Sequence, residues 1–374
     1  MQPLAGIKIV DFSTLLPGPL ASLILAEAGA EVIKIERPGR GDEMRAYEPK
    51  LGADSVNFAL LNRAKRSIAV DLKDTQQRAR LMPLVREADV LIEQFRPGVM
   101  DRLGLGFEAL EQQNPRLVYC SLTGYGQSGP KAGVAAHDLN YIAETGLLHL
   151  SADREGAPVV PPALIADIGG GAYPAVINIL LALQQRAATG KGCRLDIAMC
   201  DQLFPFMYWA LGNGFATDRW PRPGEELVTG GSPRYRIYRT ADDRFLAAAP
   251  LEQRFWDRFC RLIGLEERLR DDALDPASTT ARVAELIRAR TGAHWQALFQ
   301  GEDVCCAIVA PLEEALEDPQ VRARGLFDHV LTMDGGSLPA LPVPVAPGFR
   351  SPAPHGYPRL GEDNALLDMA PDEI

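Results

Sequence analysis

A chain of 374 residues exceeds one ordinary domain, so two domains, or one domain with a large insertion, are expected. With 47% hydrophobic residues it can build a full core, and a formal net charge of -10 argues against nucleic acid as a partner. No apolar run reads as a membrane span, and the opening MQPLAGIKIVDF enters a strand pattern without a basic start or cleavage site. No membrane partner and a cytoplasmic location are therefore expected.

In chain order, Ile7 to Phe12, Glu31 to Ile35, Ser67 to Leu72, Asp89 to Phe95 and Leu117 to Leu122 read as strands, several apolar on both faces. Between them, Leu20 to Ala28 reads as an amphipathic helix, with Glu27 close to its apolar stripe, and residues 75 to 87 as another. This alternation predicts an α/β fold with a Rossmann-like parallel sheet. A long helix is predicted from about Gly171 to Ala188, ended by Gly190. Next comes the aromatic stretch Leu203 to Phe215, broken by Trp220-Pro221-Arg222-Pro223-Gly224, which suggests a connector. Tyr235 to Tyr238 and Phe245 to Ala248 flank the turn Ala241 to Arg244 and predict a hairpin, followed by helices at 252 to 263, 280 to 290 and 293 to 300. The proline-rich segment Leu341 to Pro347 reads as irregular chain running back along the surface. The expected division is a large domain at 1–200, a connector at 201–230, a small α+β domain at 231–325 and a return segment at 326–374.

The six cysteines (Cys120, Cys193, Cys200, Cys260, Cys305 and Cys306) show no C-x-x-C spacing, so they read as reduced packing residues, with no metal or redox pair expected. Chemistry concentrates instead at Ala136-His137-Asp138-Leu139-Asn140-Tyr141 and Ala166-Asp167-Ile168-Gly169-Gly170-Gly171. A histidine and a carboxylate beside turn or glycine-rich backbone suit proton transfer on carbon. Each residue also has a plainer reading. His137 is equally a satisfied loop residue, Asp167 an N-cap of a helix starting near Gly169, and Glu252 an acid at a helix start. The glycines fit close helix packing as well as substrate approach.

The segments LAGIKIVDFSTLLPGPLASLILAEAGAEVIKIERP, NRAKRSIAVDL, FRPGVMDRLG, GYGQSGP, AHDLNY, DIGGG and TGKGCRLDIAMCD, in that order, resemble the family III CoA-transferases of the CaiB/BaiF type. Within that family AHDLNY resembles the α-methylacyl-CoA racemase branch. The resemblance implies that His137 and Asp167 are the two proton-transfer bases acting at the α-carbon of a 2-methylacyl-CoA, and that Glu252 orients the histidine. Backbone N–H groups near Asp138 are candidates for the enolate oxygen. No prosthetic group is implied, coenzyme A entering as part of the acyl-CoA substrate.

By the same resemblance, Arg37, Lys73, Arg96 and Arg102 hold the nucleotide end of CoA, together with Leu72 and Phe95, and Gly124, Tyr125, Ala136 and Tyr141 also belong to the CoA-binding set. Guanidinium forks suit phosphate oxygens. Arg63, Lys65 and Arg66 read either as an added positive field or as a solvated face. Gly124-Tyr125-Gly126 lacks the spacing of a dinucleotide or nucleoside triphosphate loop. The stretch Phe204 to Trp209 reads as either an acyl site or a buried interdomain or dimer helix. One departure stands out: racemases of this family carry an asparagine four residues before the aspartate, and this chain has Ala163.

The competing activity is CoA transfer between carboxylic acids, with Asp167 as the nucleophile; the His137–Asp167 pair favours the racemase. A CoA-ester binding protein without turnover is a third possibility. The resemblance also implies a homodimer of two interlocked chains.

Overall fold

The computed structural model describes residues 2–153, 155–350 and 356–368. The chain divides into two compact units, one made of Met1–Thr145, Pro161–Phe206 and Gly325–Ile374, the other of Gly146–Val160 and Met207–Arg324. The first unit holds a six-stranded parallel sheet built from β1 (Lys8–Asp11), β2 (Glu31–Glu36), β3 (Lys65–Ala69), β4 (Val90–Glu93), β5 (Val118–Thr123) and β6 (Cys193–Ala198). Its order is β3-β2-β1-β4-β5-β6. Strands apolar on both faces, such as Ile9-Val10 and Val90-Leu91-Ile92, are buried on both sides, as a helix-covered parallel sheet requires. The order reverses between β1 and β4, and in such sheets ligands sit outside the carboxyl ends of the strands at that reversal.

Five helices of this unit matter here: α1 (Pro17–Glu27), α2 (Val56–Asn62), α3 (Thr75–Glu87), α4 (Asp138–Glu144) and α5 (Tyr173–Thr189). Helix α1 departs from the predicted amphipathic pattern, because all of its residues are buried. Glu27 is tolerated there because Arg63 reaches it at 2.7 Å, with both side chains buried. The cluster Arg63, Lys65, Arg66 is therefore neither a positive field nor a solvated face: Arg63 and Lys65 are buried, and only the exposed Arg66 pairs at the surface, with Glu31 at 2.8 Å. Strand β3 begins at Lys65, ahead of the predicted Ser67, and ends before Leu72. Strand β6 escaped prediction because its alternating Cys-Arg-Leu-Asp suits an edge with one wet face rather than a doubly buried strand.

Two further expectations change. The stretch Ala166–Thr189 is one continuous helix, long and apolar enough by length and composition to cross a membrane, so the expectation of no such run fails. Half of its most apolar window is buried within the protein. The proline-rich segment is irregular and lies only partly at the surface: Pro344, Ala346 and Pro347 are exposed, while Val343 and Val345 are buried and the Leu341 carbonyl accepts an Arg63 guanidinium N–H at 2.7 Å.

The second unit pairs β7 (Arg236–Arg239), β8 (Phe245–Ala248) and β9 (Cys306–Ile308) in an antiparallel sheet ordered β9-β8-β7. Helices α6 (Tyr208–Thr217), α7 (Gln253–Ile263), α8 (Pro276–Arg288) and α9 (Gly292–Phe299) accompany it. Its core gathers Trp256, Phe259, Val283, Ile287, Trp295 and Phe299. The aromatic stretch around residue 205 is not core in the single chain, since Phe204, Phe206, Tyr208 and Phe215 are exposed. Nor are all cysteines packing residues: Cys120, Cys200 and Cys260 are buried, whereas Cys305 is exposed at a positive φ of 49°.

Because the Arg63–Glu27 pair is buried, removing one partner strands the other charge. Arg63→Met is expected to cost about 3–5 kcal/mol in urea unfolding, and Glu27→Leu/Arg63→Met to recover at least half of that loss. Additive losses in the double variant would show that the pair does not couple.

Candidate active site

The site grows from two short backbone features at the carboxyl edge of the sheet. His137 precedes α4 in extended conformation, and its N–H donates to the Asn140 side-chain oxygen at 3.0 Å. That contact spans three residues, the spacing of a capping box, and holds the histidine exposed at the helix start. Helix α4 is fixed from below by Tyr141, whose hydroxyl donates to the Ala136 carbonyl at 2.9 Å. The Tyr141 ring also lies so close to Gly124 that an added Cβ there would sit 2.4 Å from it. Tyr125 packs edge-on against Tyr141, centroids 5.3 Å apart.

Asp167 does not cap a helix that starts near Gly169. It lies inside a π-helical segment, Ala166–Ala172, that runs directly into α5 and begins before the glycines. The glycine triplet explains the segment's position. A Cβ on Gly170 would meet the Met199 carbonyl oxygen at 2.5 Å, and one on Gly171 would meet both Met199 and Pro17 at 3.1 Å. Close packing of backbone is thus a requirement here, whatever approaches from solvent. Wide π turns of this kind recur at functional sites.

The two features meet through Asp138, whose buried carboxylate accepts the Asp167 N–H at 2.9 Å. The Asp167 carboxyl itself is part-buried, and among the described residues no group donates a hydrogen bond to it. Burial, reinforced by the Asp138 charge and offset in part by His137, pushes it up from 3.8 to about 6. Ala163, where an asparagine partner was noted as missing, is exposed and supplies no donor. Burial and then the Asp167 charge push the Tyr141 phenol up to about 12, which places that ring in the same electrostatic neighbourhood.

The remaining site residues fall into two groups. Arg37 follows β2, Lys73 follows β3 and Arg96 follows β4, all exposed at the carboxyl edge, while Arg102 ends the short helix Val99–Arg102 and is exposed too. Leu72 and Phe95, half-buried, pack against the sheet core beneath them. Three exposed cations beyond the carboxyl ends of β2, β3 and β4 suit a polyanion such as the phosphates of CoA. Glu252 lies in the second unit, exposed, at the N-cap of α7, where its carboxylate makes no capping hydrogen bond. Sequence reading gave Asp138 only its backbone N–H; the carboxylate that ties the two segments together was missed, as was Asn140, although its i+3 spacing from His137 was visible.

The CoA-transferase family III pattern matches residues 4–364. The chain belongs to this family. A mouse protein named alpha-methylacyl-CoA racemase is 36% identical to this family III chain over 357 residues, covering 94% of it and 87% of the mouse protein. An Acetobacter aceti protein named acetyl-CoA:oxalate CoA-transferase is 34% identical over 375 residues, covering 98% of this chain and 95% of its own. A crystal structure of a CaiB/BaiF family protein from Brucella suis superposes with a TM-score of 0.82 at 29% identity, covering 98% of each chain. Family III enzymes act on CoA thioesters, and the racemase and transferase names both occur among the relatives of this chain.

The electrostatics of Asp167 carry a signed consequence. Its folded value, about 6, lies above the ordinary 3.8, so the folded state holds this proton more tightly. The resulting stabilisation is complete below about pH 4 and is lost as the pH rises through about 6. Asp167→Asn, which mimics the protonated form, is therefore expected to raise Tm at pH 7.5 by roughly 2–4 °C, with the gain vanishing near pH 4. Differential scanning calorimetry across that range checks it, and a gain independent of pH contradicts the assignment.

Proposed function

We propose that this family III enzyme is a racemase-like isomerase that inverts the α-carbon of a 2-methylacyl-CoA by 1,1-proton transfer. The observation that carries the reading is the Asp167 carboxyl, part-buried beside the Asp138 carboxylate, raised to about 6, within the field of His137 and with no hydrogen-bond donor among the described residues. A carboxyl so raised is largely ionised at neutral pH yet keeps a usable protonated fraction. It thus serves as base in one direction and as acid in the other.

The His137 imidazole takes the α-proton from one face, and the C–H electron pair moves into the thioester carbonyl as an enolate. Protonated Asp167 then returns a proton to the opposite face. The enolate oxygen needs donors, and the first-turn N–H groups of α4, at Asp138, are orphans of the kind every helix start presents. Arg37, Lys73, Arg96 and Arg102 are assigned to the CoA phosphates, and coenzyme A enters only as part of the substrate.

The second reading is CoA transfer through an aspartyl intermediate. It is favoured by the transferase name of the 34% identical relative and by an Asp167 carboxyl not engaged by any donor. In that reaction the carboxylate attacks the acyl thioester and CoA leaves as thiolate, giving a mixed anhydride. The thiolate then attacks the aspartyl carbonyl, releasing the donor acid and leaving an aspartyl-CoA thioester, and the acceptor carboxylate repeats the two steps in reverse to give its acyl-CoA and free Asp167. His137, whose charge acts on Asp167, supplies a second base that group transfer does not need, so the proton-transfer reading ranks first.

The proposal includes a homodimer. Tyr173, Ile177, Leu180 and Leu181 share one face of α5 and are exposed, forming an apolar stripe of the sort that marks an interface. Sedimentation is expected to show a dimer throughout the micromolar range, and a stable monomer there counts against it.

Incubated in deuterium oxide without any acceptor acid, a 2-methylacyl-CoA is expected to gain one deuterium at the α-carbon and lose optical purity. His137→Ala is expected to suppress exchange from one enantiomer on the order of a hundredfold more than from the other, since each base serves one face. An Asp167 hydroxamate, trapped by hydroxylamine from donor acyl-CoA at the turnover rate, establishes the transferase instead.

A further inference from the structure

The turn between β1 and α1 carries a strain that its own packing does not explain. Leu15 adopts a φ of 63°, a region that non-glycine residues avoid, and its side chain is only half-buried. What holds it there is a single ion pair, completely buried on both sides. The Asp42 carboxylate accepts the Leu15 N–H, at 3.1 and 3.3 Å from its two oxygens, and pairs with Lys34 Nζ at 2.9 Å. Lys34 Nζ in turn donates to the Ser13 carbonyl at 2.7 Å. One pair of charges therefore grips the turn at both ends.

The turn has a target. Two residues beyond Leu15, Pro17 opens α1 and rests against Gly171, at the place a side chain on that glycine would need. Gly171 lies in the π-helical segment that carries Asp167. Met199 lies against the same position on Gly171, also at 3.1 Å, and its carbonyl oxygen against Gly170, so the segment is fitted against Pro17 and Met199 together.

We propose that Lys34 and Asp42 are positioning residues: through the strained turn and Pro17 they seat the π-helical segment and so fix the placement of the Asp167 carboxyl. The inference rests on the reading above that Asp167 is the reacting group. It accounts for a leucine at a left-handed position: a glycine there would adopt the turn without a buried ion pair, whereas leucine makes the geometry depend on it.

Three variants of the full chain test it. Pro17→Gly removes the contact with Gly171 and leaves the ion pair intact. Lys34→Met/Asp42→Leu removes both charges together, so that neither is stranded. The same double variant carrying Leu15→Gly regains the turn from glycine's own tolerance of positive φ. Two readouts are taken: the titration of Asp167 without substrate, by carbon-13 NMR of aspartate-labelled protein assigned with Asp167→Asn, and kcat and KM for α-deuterium exchange.

In Pro17→Gly and in the double variant the Asp167 titration is expected to fall from about 6 toward the ordinary carboxylate range. In both, kcat is expected to drop about tenfold or more with KM within about twofold, as misplacement of a reacting group predicts. Leu15→Gly is expected to restore at least half of both changes in the double variant. Unchanged titration and kcat in Pro17→Gly overturn the proposal, and so does a loss in the double variant that Leu15→Gly does not repair. If the double variant does not fold, Pro17→Gly decides alone. If the wild-type protein exchanges no α-proton and transfers no CoA, the functional reading fails while the titration still decides the positioning role.

Discussion

The structure of the first unit depends on charges that it buries at the carboxyl edge of its sheet. Asp11, Lys34, Asp42 and Lys65 are all withdrawn from water, with Lys34–Asp42 at 2.9 Å and Lys65–Asp11 at 3.6 Å. Desolvating such groups is costly, and their mutual attraction offsets this only when each is also hydrogen-bonded. Here each is. Asp11 accepts from the Ser13 N–H and from the Ser13 and Ser22 hydroxyls, Lys65 donates to the Pro19 carbonyl and to Asn62, and Lys34 donates to the Ser13 carbonyl. Burial works against every charge in the cluster, but the neighbours decide the balance. Asp11 is held below the ordinary range by Lys34 and Lys65, Lys34 is raised by Asp11, Asp42 and Glu36, and Lys65 alone yields to burial, falling to about 7. A network of this kind contributes little net stability for its size, but it admits only one arrangement of the chain that crosses it. That is what the switch point of the sheet requires.

The reacting end of the site is shaped by the absence of side chains. Gly169, Gly170 and Gly171 let the backbone approach Phe206, Met199 and Pro17 more closely than any other residue allows. The wide turn that results presents Asp167 half-buried, with Asp138 holding its N–H from behind. The same arrangement sets the carboxyl's acidity. A carboxylate so near receives no compensating donor, so burial and repulsion together keep its proton within reach of neutral pH.

Such a site explains why one family hosts both isomerisation and group transfer. A raised carboxyl at the edge of a CoA-binding sheet is able to trade protons or to attack a thioester, according to what stands opposite. In this chain an exposed histidine at the start of α4 stands in its field, and that is the physical ground for ranking proton transfer first.

The sequence by itself determined the periodic features: the parallel sheet from its doubly apolar strands, α3 over its full length, the α5 terminus at Gly190, the hairpin around Asp243, and the two segments that carry His137 and Asp167. Each of these follows from near neighbours, through burial pattern, capping or turn chemistry. It also placed Arg37, Lys73 and Arg96 beyond strand ends, because strand boundaries are local. Tertiary structure alone decided which charges face water. Glu27, Arg63 and Lys65 look like surface residues in any window of sequence, and they are buried because partners 36 and 54 residues away arrive across the sheet. It alone decided that Asp167 sits in a π turn rather than at a helix cap, since the cause is the close approach of Phe206, Met199 and Pro17 to three glycines. It alone gave Asp138 a carboxylate role, because a hydrogen bond spanning 29 residues leaves no periodic trace for a reader of the sequence.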